Sequence, residues 1–251
     1  MPETWSTLGI VVAGAAVAGF AQGLSGFAFA MIALSVWAWA LAPQVAAPMA
    51  VFGALLGQLA SLVSLRSGFD FRKILPFVAG GVLGVPLGVF ALHNINLASF
   101  KLALGVFLTL YSLYGLFWHA DPRLKFGGAG LDAFIGVIGG FLGGLGGMSG
   151  SVPAIWTQVR GWKRDLRRAT MQVYNIAMHV VTLTIYSRTG TIDPTVLKLF
   201  TIVAPAMLIP SYLGARMYGR FSEQTFARIV LVLLLASGLA LLYGSLRMRW
   251  A

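Results

Sequence analysis

Two long apolar stretches of the chain carry the same glycine-serine pattern. Gly23-Leu24-Ser25-Gly26 lies in the first stretch, and Gly147-Met148-Ser149-Gly150 lies in the second, 124 residues later. Duplicated membrane units, each with a glycine-broken helix, are typical of secondary transporters. The duplication therefore predicts an all-α, polytopic integral membrane protein with a single membrane domain over 1–251. Repeat one is expected at about 8–118 and repeat two at about 130–246.

Composition supports a membrane location. Hydrophobic residues make up 58% of the chain and charged residues 10%, against roughly 25% charged in a soluble domain. Eight apolar segments follow from the charge-free runs, at about 8–42, 45–65, 74–92, 98–118, 130–158, 169–187, 196–215 and 225–246. The chain has no cysteine, which excludes disulfides and thiolate metal sites.

Segments one and five are anomalous. The first is far longer than one crossing needs, and the fifth is dense in glycine. Glycine disfavours a continuous helix by about 1 kcal/mol relative to alanine, but it also permits close helix packing. Both interpretations stay open for most of these glycines. At the two Ser-Gly pairs we predict a real break that divides each segment into half-helices.

The basic residues test this topology. If segments one and five each cross twice, 13 of the 18 Lys and Arg residues fall on one side, in loops 66–73, 121–125, 160–168 and 216–228. With four crossings in each half, the basic residues divide evenly. The positive-inside rule thus prefers an inverted second repeat, with these loops cytoplasmic and both termini outside. The same rule accounts for the net charge of +11 without a nucleic-acid partner. A positive balance also suits an anionic solute.

All seven acidic residues lie at segment ends or in loops. Their placement argues against a charged sodium site or a carboxylate proton relay within the bilayer. A single histidine in mid-segment cannot form a transition-metal site without other ligands. We therefore expect a small solute, anionic by the charge balance, and neither a metal nor a cofactor.

The polar residues within the bilayer are concentrated in segment six. Gln172, Asn175, His179 and Thr182 fall on one helix face, which should look onto a cavity or a partner helix. Interhelical hydrogen bonding, worth about 0.6 kcal/mol per bond, is the alternative. Gln58 lies opposite His179 at a spacing of 121 residues. His179 is the candidate for proton coupling because imidazole titrates near neutral pH, although a purely structural histidine is an open alternative.

The predicted breaks supply the other half of a site. A half-helix that begins within the membrane presents unpaired N–H groups and the positive end of its dipole. Two such ends that face each other would hold an anion without a buried Lys or Arg. The substrate-binding residues predicted on these grounds are Gln22, Ser25, Gly26, Phe27, Gln58, Ser149, Gly150, Ser151, Gln172, Asn175 and His179.

Two other functions compete with transport. The tetrapeptide at Gly147–Gly150 has the Gly-x-Ser-Gly form of rhomboid intramembrane proteases, and Ser149 with His179 would be a chemically sufficient dyad. Against this, the first copy has Gln58 at the position of the base, and glutamine cannot act as one. A membrane subunit without transport of its own is the second alternative.

The two motifs resemble those of a known family. The run from Gly19 to Ala30 resembles the first-repeat motif of the sulfite exporter TauE/SafE family, and the run from Gly143 to Pro153 resembles the second. The resemblance covers essentially the whole chain, but Leu34 stands about where the first motif usually has a proline, and Ser151 replaces one of the paired prolines of the second. It implies transport of sulfite, thiosulfate or organosulfonates across a bacterial inner membrane, by export or uptake. The sequence is compatible with a monomer and with a homodimer.

Overall fold

The computed structural model describes residues 5–26, 28–62, 69–117, 126–217 and 223–250. These residues form ten α-helices and no strand: α1 Trp5–Ser25, α2 Phe29–Trp37, α3 Pro43–Leu62, α4 Phe71–Asn94, α5 Leu97–Phe117, α6 Ala129–Gly146, α7 Ser151–Val159, α8 Arg164–Arg188, α9 Pro194–Met217 and α10 Glu223–Trp250. Within the described ranges, seven helices are long and apolar enough to cross a membrane, namely α1, α3, α4, α5, α6, α9 and α10. The fold is that of an all-helical, multi-pass membrane protein.

Both predicted breaks are present. α2 and α7 each have nine residues, and a helix of that length is about 14 Å long, half the thickness of the hydrocarbon core. Gly26 follows α1 with φ of 83°, and Gly147 follows α6 with φ of 79°. Only glycine adopts this left-handed conformation without strain.

The position of the breaks corrects the alignment of the two motifs. Gly26 and Gly147 are 121 residues apart, so the Ser-Gly pairs, which are 124 residues apart, are not equivalent. Ser25 is the last residue of α1, whereas Ser149 follows the turn at Gly147 and precedes α7. The spacing of 121 residues that relates Gln58 to His179 is the one that superimposes the breaks.

Each break is the tip of a helical hairpin. α2 runs back along α1, so that Trp37 Nε1 donates to the carbonyl oxygen of Val11 at 3.2 Å. α7 runs back along α6, and Arg160, just after α7, pairs with Asp132 in the first turn of α6 at 2.8 Å. Trp156 Nε1 donates to the same carboxylate at 2.7 Å. Each broken segment therefore enters and leaves the fold at the same end.

The two hairpins open at opposite ends of α4. Beside the second hairpin, the ring of Trp162 lies 5.8 Å from Lys73 Nζ and 5.9 Å from the ring of Phe77, both in the first turns of α4. After the first hairpin, Gln44 near the start of α3 donates to the carbonyl oxygen of Leu92, near the end of α4, at 3.0 Å. α4 has 24 residues, which makes it about 36 Å long.

Glycines bring the helix backbones into contact between the repeats. A Cβ atom on Gly84 of α4 would lie 2.0 Å from the carbonyl oxygen of Val137 of α6, and one on Gly140 would lie 2.1 Å from the carbonyl oxygen of Gly81. α1 meets α9 in the same way, since a Cβ on Gly23 would lie 2.0 Å from the carbonyl oxygen of Ser211. These glycines pack helices together, which decides between the two interpretations at these positions.

The main helix contacts follow the order of the helices. α1 packs on α9 and α6 on α4, while α3 packs on α8 and α5 on α10. If each helix is exchanged for the one five places away in the chain, the first two pairs replace each other and the last two pairs remain. The α3–α8 pair lies beside the breaks and brings the two polar positions of the sequence prediction together.

Candidate functional site

A small cavity lies among the α2 start, α3, the second break and α8. Its lining consists of Ala30, Met31, Gln58, Gly147, Met148, Gly150, Ser151, Asn175 and His179. Its volume is about 10 Å³, close to the smallest space that holds one water molecule. No carboxylate is among these lining residues. The cavity is closed in this conformation, and an anion of several atoms would require it to widen.

One wall of the cavity is the N-terminus of α7. Gly150 precedes the helix without a side-chain cap, and Ser151 is its first residue. The Ser151 hydroxyl donates to the carbonyl oxygen of Met148 at 2.7 Å, so it stabilises the turn. The positive end of the α7 dipole therefore faces the cavity, an arrangement that favours an anion.

The opposite wall comes from the polar face of α8. His179 is 2% exposed and Asn175 is 4% exposed, and both line the cavity. Among the described residues, Nδ1 of His179 has no hydrogen-bond partner. An unpaired polar atom at such depth is costly, so a ligand group that bonds to it would remove a penalty. The prediction that the Gln172–Thr182 face looks inward is confirmed, because all four of its polar residues are buried.

Gln58 of α3 completes the polar lining. Its Nε2 donates to the carbonyl oxygen of Gly26 at 3.1 Å, while its Oε1 has no partner in the described part of the chain. Gln58 and His179 line the same cavity, as their spacing of 121 residues predicts. Ala30 and Ser151, at the same spacing, line it as well.

The first break differs from the prediction. Gln22 reaches across it, because its Nε2 donates to the carbonyl oxygen of Gly26 at 2.9 Å and its Oε1 accepts from the N–H of Phe29 at 3.1 Å. Phe29 is the first residue of α2, so this N–H group is already bonded within the protein. The expected pair of facing half-helix ends is thus reduced to one end, that of α7.

Four other predicted residues do not line the cavity. Gln22 and Gly26 form the bridge at the first break, Gln172 Nε2 donates to the carbonyl oxygen of Gln58, and Ser149 donates to Asn175 Oδ1 at 2.9 Å. Phe27 and the side chain of Ser25 lie outside the described residues. The lining residues that the prediction missed are Ala30, Met31, Gly147 and Met148. The 121-residue spacing would have identified Ala30 from Ser151 and Gly147 from Gly26.

The site lacks the geometry of a serine protease. A catalytic serine hydroxyl should bond to the imidazole that removes its proton, but the Ser149 hydroxyl donates to the Asn175 amide. Within the described residues, no group of three His, Cys, Asp or Glu side chains could hold a metal ion. The chemistry of the cavity is hydrogen bonding to a ligand without covalent or metal catalysis.

Comparisons with known proteins cover nearly the whole chain. The family model described as sulfite exporter TauE/SafE matches residues 11–241. The chain is similar to a protein named probable sulfite/organosulfonate exporter TauE from Cupriavidus necator, with 28% identity over 228 residues and coverage of 88% of both chains. No solved structure matches the chain at a significant level.

Proposed function

The chain belongs to the sulfite exporter TauE/SafE family, and from that premise we propose that it is a secondary transporter of sulfite, thiosulfate or an organosulfonate in the bacterial inner membrane. The family is one of membrane exporters, so the chain is a membrane transporter of sulfur-containing anions and not an enzyme. The identity of the anion, its binding residues, the topology and the energy coupling belong to the proposal.

One observation carries the assignment of the site. The N-terminus of α7 and the unpartnered Nδ1 of His179 meet at a buried cavity whose described lining has no carboxylate. Sulfite and sulfonate oxygens accept hydrogen bonds and carry negative charge, which suits a helix N-terminus and amide or imidazole N–H donors. Gly150, Ser151, Asn175 and His179 bind the anion in this proposal. Gln58 completes the cavity, and Gln22, Gly26, Ser149 and Gln172 support it from outside.

The topology of the proposal is that of two inverted repeats. The hairpins that open at opposite ends of α4 and the exchange of helix pairs between the halves support it. The loops around Lys73 and Arg160 lie at one end of the molecule, which supports a shared cytoplasmic side for two of the predicted basic loops. Both termini are then outside, and rocking of one repeat against the other would open the cavity to each side in turn.

This topology can be tested by labelling. Because the chain has no native cysteine, single cysteines can be placed at Lys163 and at Asn94, which are both exposed. We expect a membrane-impermeant maleimide to label Asn94→Cys in intact cells and Lys163→Cys only after the membrane is opened. Labelling of both in intact cells would contradict the inverted arrangement.

The substrate assignment is tested by ligand-dependent thermal stabilisation of the purified protein. The panel contains sulfite, thiosulfate, sulfoacetate and taurine, with sulfate, chloride and acetate as controls. A ligand at 100 times its dissociation constant stabilises the folded state by about 2.7 kcal/mol. We expect a shift with sulfite, thiosulfate or a sulfonate and none with chloride or acetate. A flat response to all of the sulfur anions would remove the proposed function.

Coupling to protons is the remaining part of the proposal. His179 is the imidazole that lines the cavity, and we assign it the role of carrying the proton. Flux of the stabilising anion into proteoliposomes should rise when a pH gradient is imposed in one direction. In His179→Gln we expect residual flux that no longer responds to the gradient. Gradient-driven flux in that variant would assign coupling to another group.

A further inference from the structure

Ser149 and Asn175 form a buried pair at the second break. The Ser149 hydroxyl donates to Asn175 Oδ1 at 2.9 Å, and the two residues are 0% and 4% exposed. Asn175 lines the cavity, whereas Ser149 does not. The pair therefore connects a residue behind the wall of the site to one that forms the wall.

The hydrogen bond determines which end of the Asn175 amide a ligand meets. An asparagine amide has an acceptor oxygen and a donor NH₂ group, and its orientation follows from the bonding around it. Because the carbonyl oxygen accepts the buried Ser149 proton, the amino group is the end left for the cavity. If the amide were reversed, it would present its oxygen to the ligand and repel an anion.

Packing holds both partners of the pair in place. A Cβ atom on Gly150 would lie 2.6 Å from both Oδ1 and Nδ2 of Asn175, so the amide lies directly against the start of α7. On the other side, a Cβ on Gly143 would lie 3.0 Å from Ser149 Cβ, and one on Gly139 would lie 2.5 Å from the Ser149 carbonyl oxygen. The glycines of α6 and the break thus leave Ser149 one position.

Resting on the proposed anion site, we propose that Ser149 is a positioning residue that turns the donor end of Asn175 toward the ligand and thereby makes the site selective for anions. It acts through Asn175 and does not touch the anion. This differs from the sequence-based expectation, in which the Ser149 hydroxyl binds the substrate itself.

A double-mutant cycle separates the two roles. Wild type, Ser149→Ala, Asn175→Leu and the double variant are titrated with sulfite, thiosulfate and sulfoacetate, and dissociation constants are obtained from thermal stabilisation. We expect Ser149→Ala to weaken anion binding about tenfold, the scale of one hydrogen bond to a charged group. In the Asn175→Leu background, the same change should have no further effect. Ser149→Thr keeps the hydroxyl and should restore most of the affinity.

Ser151 supplies the matched control. Its hydroxyl bonds to the backbone of the break, independently of Asn175, so any effect of Ser151→Ala should add to that of Asn175→Leu. Additive effects of Ser149→Ala and Asn175→Leu would show that Ser149 contacts the anion and would overturn the inference. Unchanged affinity in Ser149→Ala would overturn it as well. If Ser149→Ala does not fold, Ser149→Cys keeps the volume with a weaker donor and should also lower the affinity; unchanged affinity there is equally contrary. Failure of the proposed function is distinct, since wild type would then bind none of the three anions.

Discussion

The two helix breaks have the same backbone and different side chains. Gly26 and Gly147 turn the chain in the same left-handed conformation, and each is followed by a nine-residue helix. At the first break Gln22 bonds to both sides of the turn. The position equivalent to Gln22 in the second copy, 121 residues later, is Gly143, which has no side chain to form such a bridge.

This difference teaches that a duplicated backbone need not give a duplicated site. A helix N-terminus binds an anion only where its N–H groups are not already bonded within the protein. Gln22 takes the N–H of Phe29 at the first break, whereas Gly150 and Ser151 reach the cavity at the second. We therefore interpret the first break as a structural support and the second as the binding half.

The strongest test of this comparison exchanges a polar residue at each break for leucine. We expect His179→Leu to weaken binding of the stabilising anion by roughly tenfold to a hundredfold, because a hydrogen bond to a charged group is worth about 1.5–3 kcal/mol. Gln22→Leu should leave the dissociation constant within about twofold, since Gln22 does not line the cavity. Titration of both purified variants provides the measurement. Equal losses of affinity would mean that both breaks bind the anion.

The same Gln22→Leu variant should differ from wild type in stability. It leaves the buried N–H of Phe29 without its acceptor, a loss of about 1–3 kcal/mol. Thermal unfolding without ligand measures it, and Gln44→Leu is the control, because Gln44 also bonds to backbone oxygens but is far from either break. A melting temperature equal to that of wild type would remove the structural role assigned to Gln22.

The sequence predicted the breaks and the polar face of α8 because both depend on local chemistry. Glycine dense enough to end a helix and four polar residues on one face are visible without any tertiary information. The exchange of hydrogen bonds across the first break is different. Gln22, Gly26 and Phe29 meet only because the chain reverses at Gly26, and a sequence pattern does not say which donor meets which acceptor.

The alignment of the two motifs failed for a related reason. Similar Ser-Gly letters favoured a spacing of 124 residues, but the backbone turns are 121 residues apart. The conformation at Gly26 and Gly147 is a property of the folded chain, whereas neighbouring glycines such as Gly23 serve helix packing. Polar residues that share a cavity, Gln58 and His179, were the better guide to the correct spacing.

The glycines at the two turns offer a smaller contrast. Alanine in the left-handed conformation costs about 1–2 kcal/mol, and both Gly26→Ala and Gly147→Ala should lose this much. Gly147→Ala should lose more, because its Cβ would lie 3.2 Å from Val51 and 3.3 Å from Ala30, whereas nothing lies within 4 Å at Gly26. It should also weaken anion binding, since Gly147 lines the cavity. Unfolding of the two variants in parallel measures the difference, and an equal loss at both would contradict it.

The smallest expected effect concerns the open ends of the hairpins, which are closed by different chemistry at equivalent places. Val11 accepts a neutral bond from Trp37, and Asp132, 121 residues later, accepts from both Arg160 and Trp156. Asp132→Asn should lose about 1 kcal/mol, the scale of an ion pair with a partly exposed partner, and added salt should reduce its difference from wild type. Trp37→Phe keeps the ring and loses one neutral bond, also about 1 kcal/mol, without a salt dependence. Unfolding of both variants at low and high salt separates the cases. A salt response in Trp37→Phe, or none in Asp132→Asn, would mean that charge does not distinguish the two hairpins.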